Sequence, residues 1–353
     1  MIKPLLFAFL VISASVTASS LPLVTRKSTI TNGITTDAPF SLSQEQLNSV
    51  HLYCPNGVKK AASKNILYIH GTAGTGEETW PKGLLPAFHE KGFNGCYVNL
   101  PDRTLGDAQL TSEYVVSAIQ RLYRQAGNNS ILLVGYSQGN LNIQWALNFW
   151  PSTREMVANY VSLSGDFQGT SEGPFVTSLE RLLTQGAIPS ILQQSVFKGK
   201  QSNYLQALNK RGNIALVPTT SVYGIQDEII QPVKRDTELG HGGAAFTHVS
   251  IQELCPLMLV GHFAIIINRV AFYLALDAFI HGGAANVRRV KATYKDICHD
   301  EVAPDVTDLA IPATLQVALL SQLSLVSQGG LTPGGPFSQR VKVEPKLQAY
   351  ATQ

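Results

Sequence analysis

Ser137 stands between two glycines, Gly135 and Gly139, in the stretch ILLVGYSQGN that runs from Ile131 to Asn140. A hydroxyl that is to attack a carbonyl must be lifted from the end of a buried strand on a sharp turn, with small neighbours so that the next helix packs close. Apolar residues before the serine supply the strand, and the helical pattern after it supplies the helix. A helix opening near Gln138 would aim free N–H groups at negative charge developing beside Ser137. The competing reading is a tight turn whose serine only caps the helix.

Chemistry at such an elbow needs a base and an acid, and in the α/β-hydrolase arrangement they follow the serine in the order acid, then histidine. The histidines downstream are His241, His248, His262, His281 and His299. Only His262 directly follows an apolar run, PLMLVGH, which reads as a strand with the histidine on the loop at its end. His241 and His248 fall in a segment that reads as loop, His281 follows a helix and His299 adjoins Cys298. For the acid, the strand TTSVYG leads into IQDEII, where Asp227 and Glu228 are adjacent and only one can face the imidazole. Asp227 comes first after the strand and is the choice; Asp236 is a further alternative. The acid would orient the ring and stabilise the imidazolium.

An oxyanion needs donors as well. The segment YIHGTAGTGEETW, Tyr68 to Trp80, follows an early strand and offers glycine-flanked N–H groups, of which Thr72 would converge with Gln138 on the substrate oxygen. A phosphate loop is excluded, since neither GK[ST] nor GxGxxG spacing is present.

The elements that must hold these residues alternate. Apolar runs at 66–69, 95–100, 131–135, 159–164, 219–224 and 256–260 are separated by helical patterns such as TSEYVVSAIQRLYRQAG and NLNIQWALNFW. Strand and helix in alternation predict an α/β fold: a mostly parallel central sheet with helices on both faces. With 353 residues, 44% hydrophobic and 14% charged, and a net charge of +3, the chain can bury a large core and shows no bias toward nucleic acid. The densest basic cluster, VRRVKATYK from Val287, reads as a solvated helix face. The first 20 residues read as a secretion signal, with Lys3, an apolar run from Leu5 to Ile12 and small residues at Ala18 to Ser20. That run is too short for a transmembrane span, and PLMLVGHFAIIINRVAFYLALDAFI is interrupted by His262, Asn268, Arg269 and Asp277. Residues 21–37 read as an arm or pro-segment, and 38–353 as a single domain.

Secretion implies an oxidising compartment, where four cysteines suggest two disulfides. No spacing among them resembles a metal site. Of three connectivities, the sequence-local one, Cys54 with Cys96 and Cys255 with Cys298, is the choice. Asn128 heads the sequon Asn128-Asn129-Ser130 and is a candidate glycan site.

The string NLPDRTLGDAQL to STREMV, together with VPTTSVYGIQDEIIQP, closely resembles the Candida antarctica lipase B family of fungal secreted hydrolases, over about residues 39–319. The resemblance implies Ser137, Asp227 and His262 as a triad, Thr72 and Gln138 as the oxyanion hole, Asp166 as a polar residue of the acyl pocket and Ile229 at the entrance. It also implies the two disulfides chosen above, and ester hydrolysis without metal or cofactor. This sequence departs from the pattern at Tyr136, where the family example has a tryptophan under the alcohol pocket, and at Gly261 and Phe263 beside the histidine. A third, C-terminal disulfide is absent, which suggests a looser tail after Leu331.

Three functions are open on these residues: a secreted lipase or carboxylesterase, a serine hydrolase acting on polyester or amide bonds, and a binding protein on a hydrolase scaffold. The intact Ser, Asp and His favour an enzyme acting on ester or lipid substrates. After Cys298, Leu309, Leu315, Val317, Leu319, Leu320, Leu323 and Leu325 make a helix too apolar to leave one side in water. The expectation is an apolar rim that docks transiently at a lipid–water interface, with a packed core helix as the alternative.

Overall fold

The computed structural model describes residues 32–171, 187–327 and 341–352, with side chains in the last helix described as far as Ser321. The expected leader over 1–20, residues 21–31 of the expected arm and the tail at 328–340 lie outside the described residues.

Seven strands form one sheet: β1 Leu52–Tyr53, β2 Asn65–Ile69, β3 Asn94–Val98, β4 Ile131–Tyr136, β5 Val157–Leu163, β6 Thr219–Tyr223 and β7 Phe246–Ser250. Their order is β1-β3-β2-β4-β5-β6-β7, with β1 antiparallel and every other neighbouring pair parallel. Parallel strands need helical crossovers, which cover both faces, and so β2, β3, β4 and β6 are buried along their whole length. The helices that bear on the site are α1 Ala108–Gln125, α2 Gln138–Phe149, α3 Pro189–Gln194, α4 Arg269–His281 and α5 Ile311–Ser327.

Alternation along β4 divides the core in two. Leu132 and Val134 join the cluster containing Phe88 and Phe272, while Ile131 and Leu133 join Ile119, Leu141 and Trp145 on the other face. Side chains end the loops cleanly: Asp107 caps α1 by accepting from the Gln109 N–H, and Asn268 caps α4 by accepting from Val270 and Ala271. The last residues of the expected arm are part of this packing. Asn32 is buried, donates to Asn148 Oδ1 at 2.6 Å and accepts from Arg154 at 2.8 Å.

The strand expected at 256–260 is not formed. Leu257 and Leu259 point outward and Met258 and Val260 inward, so the alternation is strand-like, but the segment joins no ladder. The sheet instead takes β7, in the stretch that read as loop, and His248 lies within it. Threonine, valine and aromatic residues fit a half-buried edge strand, and its weaker hydrophobicity hid it. The basic cluster does form a helix, Val287–Thr293, though not wholly a solvated one: Val290 is buried and Arg289 holds the buried Asp277 through two bonds, at 2.5 and 2.7 Å. The four cysteines pair as Cys54–Cys96 and Cys255–Cys298. Asn128 is exposed in the turn between α1 and β4. Among the described residues no helix is long and apolar enough to cross a membrane.

Candidate active site

Ser137 joins β4 to α2 with φ 52 and ψ −133, a backbone that L-residues avoid and that costs about 1–3 kcal/mol. Its surroundings force that geometry. A Cβ at residue 139 would lie 2.6 and 2.7 Å from the carbonyl oxygens of Ile69 and His70, so only glycine lets α2 approach the end of β2. A Cβ at residue 135 would collide with Asn140 Oδ1, and Asn140 is the residue that ties the turn down. Its amide donates to the carbonyls of Ser137 (3.0 Å) and Leu163 (3.1 Å), and its oxygen accepts from Tyr160. The spacing of the two glycines is thus a packing requirement of the turn.

His262 Nε2 lies 3.0 Å from Ser137 Oγ, and Nδ1 lies 2.9 Å from Asp227 Oδ2. Both His262 and Asp227 are buried. The carboxylate accepts, so Nδ1 carries the proton and the Nε2 lone pair is left to the serine hydroxyl. Asp227 Oδ1 accepts from the N–H groups of Ile229 (2.9 Å) and Ile230 (2.8 Å), which fixes the carboxylate plane. Burial pushes the Asp227 pKa upward, but the facing imidazole and these two donors outweigh it and hold the carboxyl below its usual value. Burial likewise disfavours the imidazolium, yet Asp227, with Glu228 and Asp166 farther off, leaves the His262 pKa raised.

The two adjacent acids divide the work. Glu228 does not face the ring; its Oε2 accepts the backbone N–H of His262 at 2.8 Å. Gln226 adds a weaker bond from Val260 N–H at 3.4 Å, so the loop after β6 grips the histidine segment that lacks a strand of its own. The other candidates sit elsewhere. Asp236 pairs with Arg235, His248 faces Thr237, His281 bonds the Asp277 carbonyl and His299 is exposed beside Asp300.

Thr72 Oγ1 donates to Gln138 Oε1 at 2.6 Å, and Gln194 Nε2 donates to the same oxygen at 3.0 Å. Gln138 Nε2 donates to the Thr104 carbonyl, so its side chain is locked on every side. Its backbone N–H, the first of α2, has no carbonyl one turn earlier within the helix. Three groups that sequence reasoning missed hold the Thr72 loop. Arg103 forms a two-pronged pair with Glu78 (2.7 and 2.6 Å) and also donates to the Ala73 carbonyl. His70 accepts from Leu100 N–H at Nε2, which puts its proton on Nδ1 for the Gly71 carbonyl, and burial lowers its pKa to about 4. Gln194, in α3, is the third. Only a histidine directly after a strand, in YIHGT, hinted at any of them.

Among the described residues, cavities of about 10 Å³ each border Ser137 on two sides. One is walled by His262, Thr72, Tyr136, Phe263 and by Leu315 and Leu319 of α5. The other is walled by Ile191, Gln194, Thr170 and Ile230, and Ile229 borders both. Asp166 lines neither. It is fully buried, both carboxyl oxygens lack a hydrogen-bond partner among the described residues, and desolvation pushes its pKa up to about 7. The described residues contain no group of three or more His, Cys, Asp or Glu arranged to hold a metal ion.

No family model matches the chain. It is 31% identical over 247 residues to lipase B of Pseudozyma antarctica, an alignment that covers 69% of each chain. The crystal structure of Aspergillus fumigatus lipase B superposes with a TM-score of 0.75 at 24% identity, over 90% of this chain and 74% of that one. The structural likeness shows the fold, an α/β-hydrolase.

Proposed function

This chain belongs to the family of Pseudozyma antarctica lipase B, and from that premise we propose that it is a lipase and carboxylic ester hydrolase working through an acyl-enzyme on Ser137. The observation that carries the proposal is the unbroken chain of short contacts from Ser137 Oγ through His262 to Asp227. As the serine oxygen attacks the ester carbonyl carbon, its proton passes to His262 Nε2, and Asp227 stabilises the imidazolium. The oxyanion meets the N–H groups of Thr72 and Gln138, each worth about 3 kcal/mol in such a site. Collapse expels the alcohol, which takes the proton back from His262. Water, deprotonated by the same imidazole, then releases the acid. No step requires a metal or cofactor.

Access is the second part of the proposal. Ile311, Leu315 and Leu319 recur every four residues on α5 and turn inward, whereas Leu309, Val317 and Leu320 are exposed; the side chains of Leu323 and Leu325 lie outside the described set. Leu257 and Leu259, 94% and 70% exposed, lie on the segment leading to His262. Such a rim suits transient docking on aggregated lipid. Two disulfides fit the reading of residues 1–20 as a secretion signal and of the mature chain, one domain over 38–353, as extracellular. The exposure of Asn128 fits a glycan there.

Initial rates on p-nitrophenyl esters of increasing chain length, beside triglyceride emulsions, test the substrate class. Hydrolysis of both is expected, with the emulsion rate rising where lipid aggregates form. Turnover of amides or polyesters in preference to these esters would overturn the assignment.

A further inference from the structure

The loop after β3 turns through Asp102, Arg103 and Thr104 with φ of 50, 52 and 60. Left-handed backbone suits glycine, and elsewhere among the described residues a non-glycine residue adopts it singly, never three in a row. Strain of this kind persists only where the surroundings over-determine it, and it gathers at functional sites. What the turn is for can be read from the groups it holds.

Residues 103 and 104 reach toward both donors assigned to the oxyanion. Arg103 grips Ala73, the neighbour of Thr72, from two directions: its carbonyl accepts the Ala73 N–H at 2.8 Å, and its guanidinium donates to the Ala73 carbonyl at 2.8 Å. The same guanidinium forks onto Glu78, which accepts the Thr75 N–H at 3.1 Å, so the loop is held beyond Thr72 as well. Thr104 Oγ1 lies 3.1 Å from the Gly71 carbonyl oxygen, and the Thr104 carbonyl accepts from Gln138 Nε2 at 2.9 Å. Two residues thus tie the Thr72 loop to the first residue of α2. Among the described residues the Thr72 N–H donates no hydrogen bond of its own, which leaves it for a substrate oxygen. The Arg103 and Glu78 side chains are each one-third exposed, and an ion pair so wet adds little to stability, so its geometry matters more than its energy.

We propose that Arg103 is a positioning residue for catalysis: its guanidinium holds the strained turn that sets the Thr72 and Gln138 N–H groups at the separation a tetrahedral oxyanion needs. The inference rests on the ester-hydrolase reading above and deepens it. Arg103 touches none of the reacting atoms. A planar guanidinium can fork onto a carboxylate and bond a carbonyl at once, whereas a lysine ammonium is a single point of charge. Displaced donors cost the transition state more than the bound ester, because the charge they meet develops only there.

Arg103→Met keeps the stem and removes the fork, and Arg103→Lys keeps the charge. On a soluble p-nitrophenyl ester, Arg103→Met is expected to lower kcat about 30-fold with KM little changed, and Arg103→Lys about fivefold. An alkyl trifluoromethyl ketone supplies the second readout. Ser137 Oγ bonds to its carbonyl carbon, the serine proton passes to His262, and the carbonyl oxygen becomes an anion facing the same two donors. Its inhibition constant should rise in step with the fall in kcat, while the pH inflection of kcat/KM stays at the wild-type position because the proton relay is untouched. Thermal unfolding is followed on the same preparations. If folded Arg103→Met keeps wild-type kcat, or loses kcat while binding the ketone as tightly as before, Arg103 does not position the donors and the hydrolase reading stands. Should Arg103→Met melt below the assay temperature, the same two readouts on Arg103→Lys decide. A wild type that neither cleaves the ester nor binds the ketone overturns both.

Discussion

The turn at Ser137 and the helix α5 that roofs it are held by forces of different kinds. Around Ser137 directed bonds hold the parts in place: Asn140 on the turn, Asp227 on His262, Glu228 on the His262 backbone, Arg103 and His70 on the Thr72 loop. Over it, α5 contributes the methyl groups of Leu315 and Leu319, which are buried but directionless. The first kind of contact fixes positions to a fraction of an ångström, as chemistry requires. The second resists displacement by about 2 kcal/mol per side chain and can be replaced by any apolar surface. Leu315 and Leu319 wall the small cavity of about 10 Å³ beside Ser137.

Substitutions should separate the two regions, most strongly at the directed end. Ser137→Ala and His262→Ala should each lower kcat by about a million-fold, and Asp227→Ala by about ten-thousand-fold, in steady-state assays on a soluble ester. Glu228→Ala removes a support of the His262 loop and leaves the proton relay, so about a tenfold loss is expected. If Glu228→Ala proves the more damaging of the two, the acid role passes to Glu228.

At the apolar end, Val317→Asp with Leu320→Asp should reduce emulsion hydrolysis severalfold, by about 1 kcal/mol of lost transfer energy per side chain, while soluble-ester turnover is retained. Parallel loss of both activities together with a lowered Tm would make α5 a packing helix only. The smallest effect is on pH. His262 must be neutral to accept the serine proton, and its pKa is raised above 6.5, so kcat/KM for a soluble ester should fall as pH drops through an inflection above 6.5. An inflection below 6.5 would mean that Asp227 does not face the ring in solution.

The directed region was far more legible in the sequence than the rest. Glycines at 135 and 139 are demanded by contacts at the turn itself, so their spacing carries the geometry. The order of Asp227 and His262 follows from the strand order of the fold. By contrast, the route by which His262 arrives was misread, because 256–260 has the hydrophobicity of a strand and β7 has not. Ladder membership is decided by neighbours, which no local pattern records. The supports from Glu228, Arg103, His70 and Gln194 escape a local reading for the same reason: they act across 25 to 56 residues of chain. Asp166 is a different case: resemblance implies a place in the acyl pocket, and the structure shows a fully buried carboxyl whose two oxygens have no hydrogen-bond partner among the described residues.

If the contacts from Asp227 through His262 act as proposed, Ser137 alone is activated for attack. A fluorophosphonate probe at neutral pH, followed by digestion and mass spectrometry, reads this directly. One probe per chain is predicted, on the peptide containing Ser137, with none incorporated by Ser137→Ala and greatly slowed labelling in His262→Ala. Stoichiometric labelling of another residue, or undiminished labelling of Ser137→Ala, would show that Ser137 is not the nucleophile.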